Sequence, residues 1–269
     1  MFTYPDIDPI AVAIGPLRVH WYGLMYLAGF LAAWWLARRR VAQPGSTWTY
    51  EQVDDLIFHA MLGVVLGGRV GYLVFYGQDR IAEDWRYIYR LWEGGMSFHG
   101  GLIGVLVAIA LFARTTGKRV GDVFDFMAPL PAVGLGAGRL GNFINGELWG
   151  KPTDAAYGFL VQTPGGAQVL HASQLYEATL EGLVLFVLLW AYTASPRPRW
   201  APSGVFLLAY GVFRFLIEFV RVPDAQLGYL ASGWFTMGQL LTAPMILMGL
   251  VLLWLAYRRD EPTGNLAAR

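Results

Sequence analysis

Arg139 and Arg214 each sit inside a long apolar run. An arginine at the centre of a membrane span costs ~2.5–3.5 kcal/mol on insertion scales, so it needs a partner or a task. Arg139 begins the stretch Arg139-Leu140-Gly141-Asn142-Phe143-Ile144-Asn145-Gly146-Glu147, where Asn142 and Asn145 follow at three-residue steps. On a helix these polar groups share one face, and Glu147 follows where the apolar run meets the outer surface. Tyr210, Arg214, Glu218 and Arg221 recur at i, i+4, i+8 and i+11, again one face of a single helix. Two readings stand. Arg214 with Glu218 is an internal ion pair and Arg139 a structural tie between helices, or two cations from separate helices grip one anion. Guanidinium donors are planar and forked, which suits phosphate, and membrane lipids supply phosphate in abundance.

Other polar groups accompany them. His99 lies in Gly94-Gly95-Met96-Ser97-Phe98-His99-Gly100-Gly101. A neutral imidazole is a base near pH 7, whereas a hydrogen-bonded structural histidine is the alternative. Ser173, Gln174, Glu177 and Glu181 form a stripe with the last three at i, i+3 and i+7, preceded by His171; it reads as a supporting or gating face. Trp21 and Tyr22 fit an interfacial aromatic belt, while Tyr26 lies deeper and faces a cavity. The four histidines are scattered without a His-Glu-x-x-His pattern, and no phosphate-cradling Gly-rich Lys-Ser/Thr loop occurs. With no cysteine, thiolate catalysis by this chain, disulfides and Cys-ligated metals are excluded. No metal and no organic cofactor is expected.

The elements that must position these groups are membrane helices. The chain has 269 residues, 56% hydrophobic and only 14% charged, against ~25% charged in soluble domains. Net charge is +1 with no basic patch, so nucleic acid is not an expected partner. The expected fold is an all-α polytopic membrane helix bundle of about seven transmembrane helices with a small external loop region. The candidate spans are Trp21–Ala37, Val53–Tyr76, Met96–Ala113, Val120–Asn142, Ser173–Tyr192, Gly204–Val220 and Thr236–Tyr257. Asp122, Asp125, Pro129 and Pro131 predict a kink or break in the fourth. The first span has no basic segment before it and Arg38–Arg40 after it, which reads as a retained span and not a cleaved signal peptide. Alternate loops carry eleven basic residues, Arg269 among them, against six, which places the N-terminus extracytoplasmic and the C-terminus in the cytoplasm. Residues 1–269 read as a single integral membrane domain, with about 143–172 forming a small extracytoplasmic segment. Gly63, Gly67 and Gly71, Gly100 and Gly104, and Gly134 and Gly138 carry the small-residue spacing of close helix packing.

Five stretches together resemble one family. They are Tyr22-Gly23-Leu24-Met25-Tyr26, His99-Gly100-Gly101-Leu102-Ile103-Gly104, Gly138-Arg139-x-x-Asn142-Phe143-x-Asn145-x-Glu147-x-x-Gly150, Ser173-Gln174-Leu175-Tyr176-Glu177, and Arg214-Phe215-x-x-Glu218-x-x-Arg221-x-Pro223-Asp224. In this order, from about Tyr4 to Arg259, they resemble prolipoprotein diacylglyceryl transferases. One departure is Ala172 after His171, where the family often has proline. The resemblance implies a multi-pass enzyme of the bacterial inner membrane. Such enzymes move the diacylglyceryl group of phosphatidylglycerol onto the lipobox cysteine thiol of a preprolipoprotein signal peptide, releasing glycerol-1-phosphate. The resemblance further implies that Arg139 binds phosphatidylglycerol, that Arg214 is required, and that Tyr26, His99, Asn142, Glu147, Gly150 and Tyr210 take part.

That chemistry suits the residues. A free thiol of pKa ~8.5 is only a few per cent ionised at pH 7, so a base helps; His99 is the candidate, with Tyr26 or a water as substitutes. Negative charge grows on the departing phosphate, which Arg139 and Arg214 would stabilise. Asn142, Glu147, Gly150, Tyr210 and Glu218 would bind or orient the head group. Two rival readings are an intramembrane serine hydrolase built on Ser97 and a lipid or anion transporter, although no internal symmetry is evident.

Overall fold

The computed structural model describes residues 1–5, 7–15, 17–223, 228–231 and 233–265; Asp224 of the fifth stretch and Arg269 of the charge count lie outside them. The helices are α1 (Trp21–Val41), α2 (Tyr50–Phe75), α3 (Gln78–Glu83), α4 (Phe98–Thr115), α5 (Val120–Met127), α6 (Leu130–Ile144), α7 (Ser173–Glu177), α8 (Leu185–Tyr192), α9 (Ala201–Ile217) and α10 (Met237–Arg259). A π-helical turn, Ala178–Val184, joins α7 to α8 into one continuous rod.

The chain is a helical membrane protein. Among the described residues, four helical stretches are long and apolar enough to cross a bilayer: α2, α4, Ser173–Tyr192 and α10. A fifth is added if α5 and α6 count as one span. They meet at a 44° bend at Ala128-Pro129, where proline removes a helix donor, as the prolines predict. The expected count of seven is not reached. The first segment, α1, is 21 residues long but carries Trp21, Tyr22, Tyr26, Trp34 and Trp35 and ends in Arg38–Arg40. The sixth, α9, has only 17 residues.

Two compact units form. One comprises Ala37–Phe124 with Gly264–Arg269. Here α2 and α4 run antiparallel, and around residues 63–71 almost no side chain separates them: a Cβ at Gly63 would stand 2.6 Å from the Gly104 carbonyl oxygen, and one at Gly71 2.7 Å from Gly100 Cα. The small-residue spacing thus packs helices, as expected. Arg69 of α2 is buried and donates to the carbonyls of Tyr87, Ile88 (3.1 Å), Arg90 (3.3 Å), Gly94 (2.5 Å) and Gly95 (3.1 Å), clasping the segment before α4. Ser97 caps α4, its Oγ accepting from the Gly100 amide at 3.2 Å.

The other unit comprises Met1–Leu36 with Asp125–Thr263. Ala128, Ala132, Leu185 and Leu189 form a buried cluster against Phe186, Val205, Phe206 and Phe213. Buried Asp125 accepts from the Trp200 amide (2.6 Å) and from the Ser203 amide (3.0 Å) and hydroxyl (2.6 Å), capping the start of α9. Between α6 and α7, strands Phe159–Thr163 and Gly166–Leu170 form a hairpin, and Phe2–Thr3 adds to it in parallel.

Candidate active site

The site lies in the second of these units, where α6, the α7–α8 rod and α9 meet. Glu177, 1% exposed, is its centre. Its Oε2 lies 2.6 Å from Arg139 Nε, and its Oε1 lies 3.0 Å from Arg214 Nη1 and 2.6 Å from Arg221 Nη1. Arg139 and Arg214 therefore converge on a single carboxylate. Glu218 closes the arrangement: its Oε2 stands 3.2 Å from Arg214 Nη2 and 3.5 Å from Arg221 Nε, and its Oε1 accepts from Thr236 Oγ1 at 2.9 Å. Glu181 Oε1 stands 4.0 Å from Arg214 Nη1. Tyr210, one helical turn before Arg214, stacks on Phe206 with centroids 5.9 Å apart.

The cluster therefore holds three guanidiniums and three carboxyls among the described residues. Arg139 meets Glu177 through Nε, and its side chain stays 22% exposed. Buried forks pre-set by a fixed carboxylate lose little freedom when an anion arrives. Guanidinium Nη donors in a partly exposed position are the geometry that phosphate oxygens accept.

A second polar group adjoins the end of α6. Buried Asn142 donates to Glu147 Oε1 at 2.8 Å and Asn145 donates to the same oxygen at 3.3 Å, while Glu147 itself is exposed. The backbone beside it is pinned from α7: Ser173 Oγ donates to the Leu148 carbonyl at 2.8 Å and Gln174 Nε2 to the Glu147 carbonyl. Leu148 is held at φ 60°, a left-handed conformation that costs a non-glycine residue roughly 1–3 kcal/mol. Gly150 donates to the His171 carbonyl at 2.8 Å and bridges to Arg221. A Cβ there would stand 2.6 Å from the Val220 carbonyl oxygen, so only glycine permits the approach. Burial pushes the neighbouring His171 imidazole below its ordinary pKa.

Of the residues expected from sequence, Arg139, Arg214, Glu218 and Tyr210 come together, and Asn142, Glu147 and Gly150 form the adjoining loop. Tyr26 is 47% exposed and its hydroxyl pairs with that of Tyr22 at 3.1 Å. His99 belongs to the unit built on α2 and α4, where it is exposed, edge-on to Phe98. The Arg214–Glu218 pair exists as anticipated, but the face is not one helix. α9 stops at Ile217, Glu218 occupies its C-terminal cap, and Arg221 follows a turn. Glu177, part of the stripe read as supporting or gating, holds the three guanidiniums, and Arg221 joins the site. The spacing of Glu177 and Glu181 was the available signal; their partners on other helices had none. Ser97 serves as a helix cap, which accounts for it without hydrolase chemistry.

Fold and site define a helical membrane protein that fixes several cations within its helix bundle. Residues 9–255 match the profile of the family described as Prolipoprotein diacylglyceryl transferase. Relatives named phosphatidylglycerol–prolipoprotein diacylglyceryl transferase include one from Oleidesulfovibrio alaskensis, 58% identical over 262 residues and 97% of each chain. Another, from Pseudomonas aeruginosa, is 56% identical over 260 residues and 97% of each chain, and one from Pseudomonas fluorescens is 54% identical over 99% of this chain and 100% of its own. The chain belongs to the prolipoprotein diacylglyceryl transferase family.

Proposed function

We propose that this chain transfers the diacylglyceryl group of phosphatidylglycerol to the lipobox cysteine thiol of a prolipoprotein, releasing glycerol-1-phosphate. The observation that carries the reading is the convergence of Arg139 and Arg214, from separate helices, on the Glu177 carboxylate. The reacting carbon bears a phosphodiester. As sulfur bonds to that carbon, the carbon–oxygen bond breaks and its electron pair passes to the phosphate. Arg139 and Arg214 stabilise that charge as it grows, which lowers the barrier only because they are fixed beforehand. Asn142 and Glu147 orient the head group from the α6 end, Gly150 allows the close backbone passage there, and Tyr210 and Glu218 hold Arg214. Tyr26 or a water takes the thiol proton.

The same reading makes the chain one integral domain of the bacterial inner membrane. α1 and α9, about 31 Å and 25 Å long at 1.5 Å per residue, complete seven crossings. The N-terminus and residues 143–172 face outward and the C-terminus faces the cytoplasm, in keeping with the basic loops. The test is reconstitution with phosphatidylglycerol vesicles and a lipobox peptide, read by mass spectrometry of the cysteine. Wild type adds one diacylglyceryl group. Arg139→Ala, still inserted, adds none; near-normal transfer by it would remove the leaving-group role. Phosphate flux without modified peptide would favour the transporter.

A further inference from the structure

Glu181 is 0% exposed, and neither of its oxygens has a hydrogen-bond partner among the described residues. Arg214 Nη1, at 4.0 Å, stands beyond hydrogen-bond reach. One turn earlier, Glu177 takes three guanidiniums at 2.6–3.0 Å. Like charges four residues apart on a helix repel, and an ionised carboxylate out of water without hydrogen bonds is costly. A proton on one of the two relieves both penalties, and Glu177, with its cations, is the one that stays ionised. Glu181 also lies in the π-helical turn, a distortion that concentrates at functional sites.

The charges lead to the same place. With all six groups ionised, the cluster sums to zero and offers no net charge to a lipid phosphate. With Glu181 neutral it carries one positive charge, which matches a phosphodiester. On cleavage the phosphate gains a second negative charge that the paired arginines cannot fully balance.

We propose that Glu181 holds a proton in the resting site and passes it to the departing phosphate. The inference rests on the transfer reaction proposed above. The sulfur–carbon bond forms, the carbon–oxygen bond breaks, and the electron pair stays on the phosphate oxygen. The Glu181 proton moves to the phosphate, which leaves as singly charged glycerol phosphate. Glu181 then regains, through water, the proton released by the thiol, so the turnover is proton-neutral. The charged and titratable groups close enough to act on Glu181 are Glu177 on its own rod, Arg139 from α6, Tyr210 and Arg214 from α9, and Arg221 beyond it.

The test uses the full chain in phosphatidylglycerol vesicles with a lipobox peptide. Wild-type kcat/KM should rise with pH as the thiol ionises, then fall as Glu181 loses its proton. Glu181→Gln should lower kcat about 10²-fold, leave the lipid KM within about threefold, and lack the alkaline fall. Glu181→Asp should keep that fall at reduced rate. A Gln variant with the wild-type rate, or one slowed with an unchanged profile, overturns the proposal. Should the Gln variant fail to fold, a wild-type profile without an alkaline limb overturns it equally. Wild type that modifies no peptide refutes the transfer reaction itself, which separates the two failures.

Discussion

Replacing Glu177 with Gln keeps its shape and removes its charge. Three guanidiniums at 2.6, 3.0 and 2.6 Å then lose their common partner. Arg214 and Arg221 retain Glu218 at 3.2 and 3.5 Å, but Arg139 has no other carboxylate among the described residues. At an effective dielectric of ~20, each guanidinium–carboxylate contact is worth about 4 kcal/mol before desolvation. Breaking a buried pair by removing one partner costs ~3–5 kcal/mol. Side chains 13–22% exposed let water screen part of this, so the lower half of that range is expected. For a chain of this size about 2–4 °C accompanies each kcal/mol, giving a fall in Tm of roughly 6–16 °C. The assay is the intrinsic fluorescence of the 11 tryptophans during heating in a neutral detergent. Phosphatidylglycerol added to the detergent should recover more of the loss in the variant than it adds to wild type, because the lipid phosphate replaces the missing negative charge. A variant melting within 2 °C of wild type, or one that the anionic lipid fails to rescue, refutes the view that Glu177 restrains the cations until an anion arrives.

Three further outcomes follow from the packing. Asp125→Ala removes the carboxylate that takes the Trp200 and Ser203 amides at the start of α9, lowering stability by ~1–3 kcal/mol; the melting curve reads this, and Asp125→Asn should recover part of it. Gly63→Ala forces a methyl group against the Gly104 carbonyl and costs ~1–3 kcal/mol by separating α2 from α4, read the same way. His171 is held below its ordinary pKa by burial, so below pH 6.5 the unfolded chain binds a proton that the folded one resists. Wild-type Tm should therefore fall between pH 7 and pH 5, and His171→Asn should flatten that fall.

Much of this was readable from residue spacing. The apolar runs locate the helices, the two prolines locate the break before α6, and Arg139 and Arg214 announce themselves because a bilayer makes unpaired charge expensive. The stretch Phe159–Leu170 reads as a small structure, but its pairing with Phe2–Thr3 joins ends far apart in the chain that no local pattern connects. The partners of Glu177 are hidden in the sequence for the same reason. Periodicity tells which residues share a helix face, not which face of another helix meets it. Helix spacing carried past Ile217 puts Arg221 on the same helix, whereas the chain turns there to meet Gly150. α1 is rich in tryptophan and tyrosine, so its length argues for a crossing while its composition argues for the interface.

Around residues 63–71 the contact between α2 and α4 is made largely by main chain. Helices that meet without intervening side chains have no soft rotamers through which to slide or swivel, so the pair acts as a stiff plate. Any motion of that unit must therefore carry α2 and α4 together.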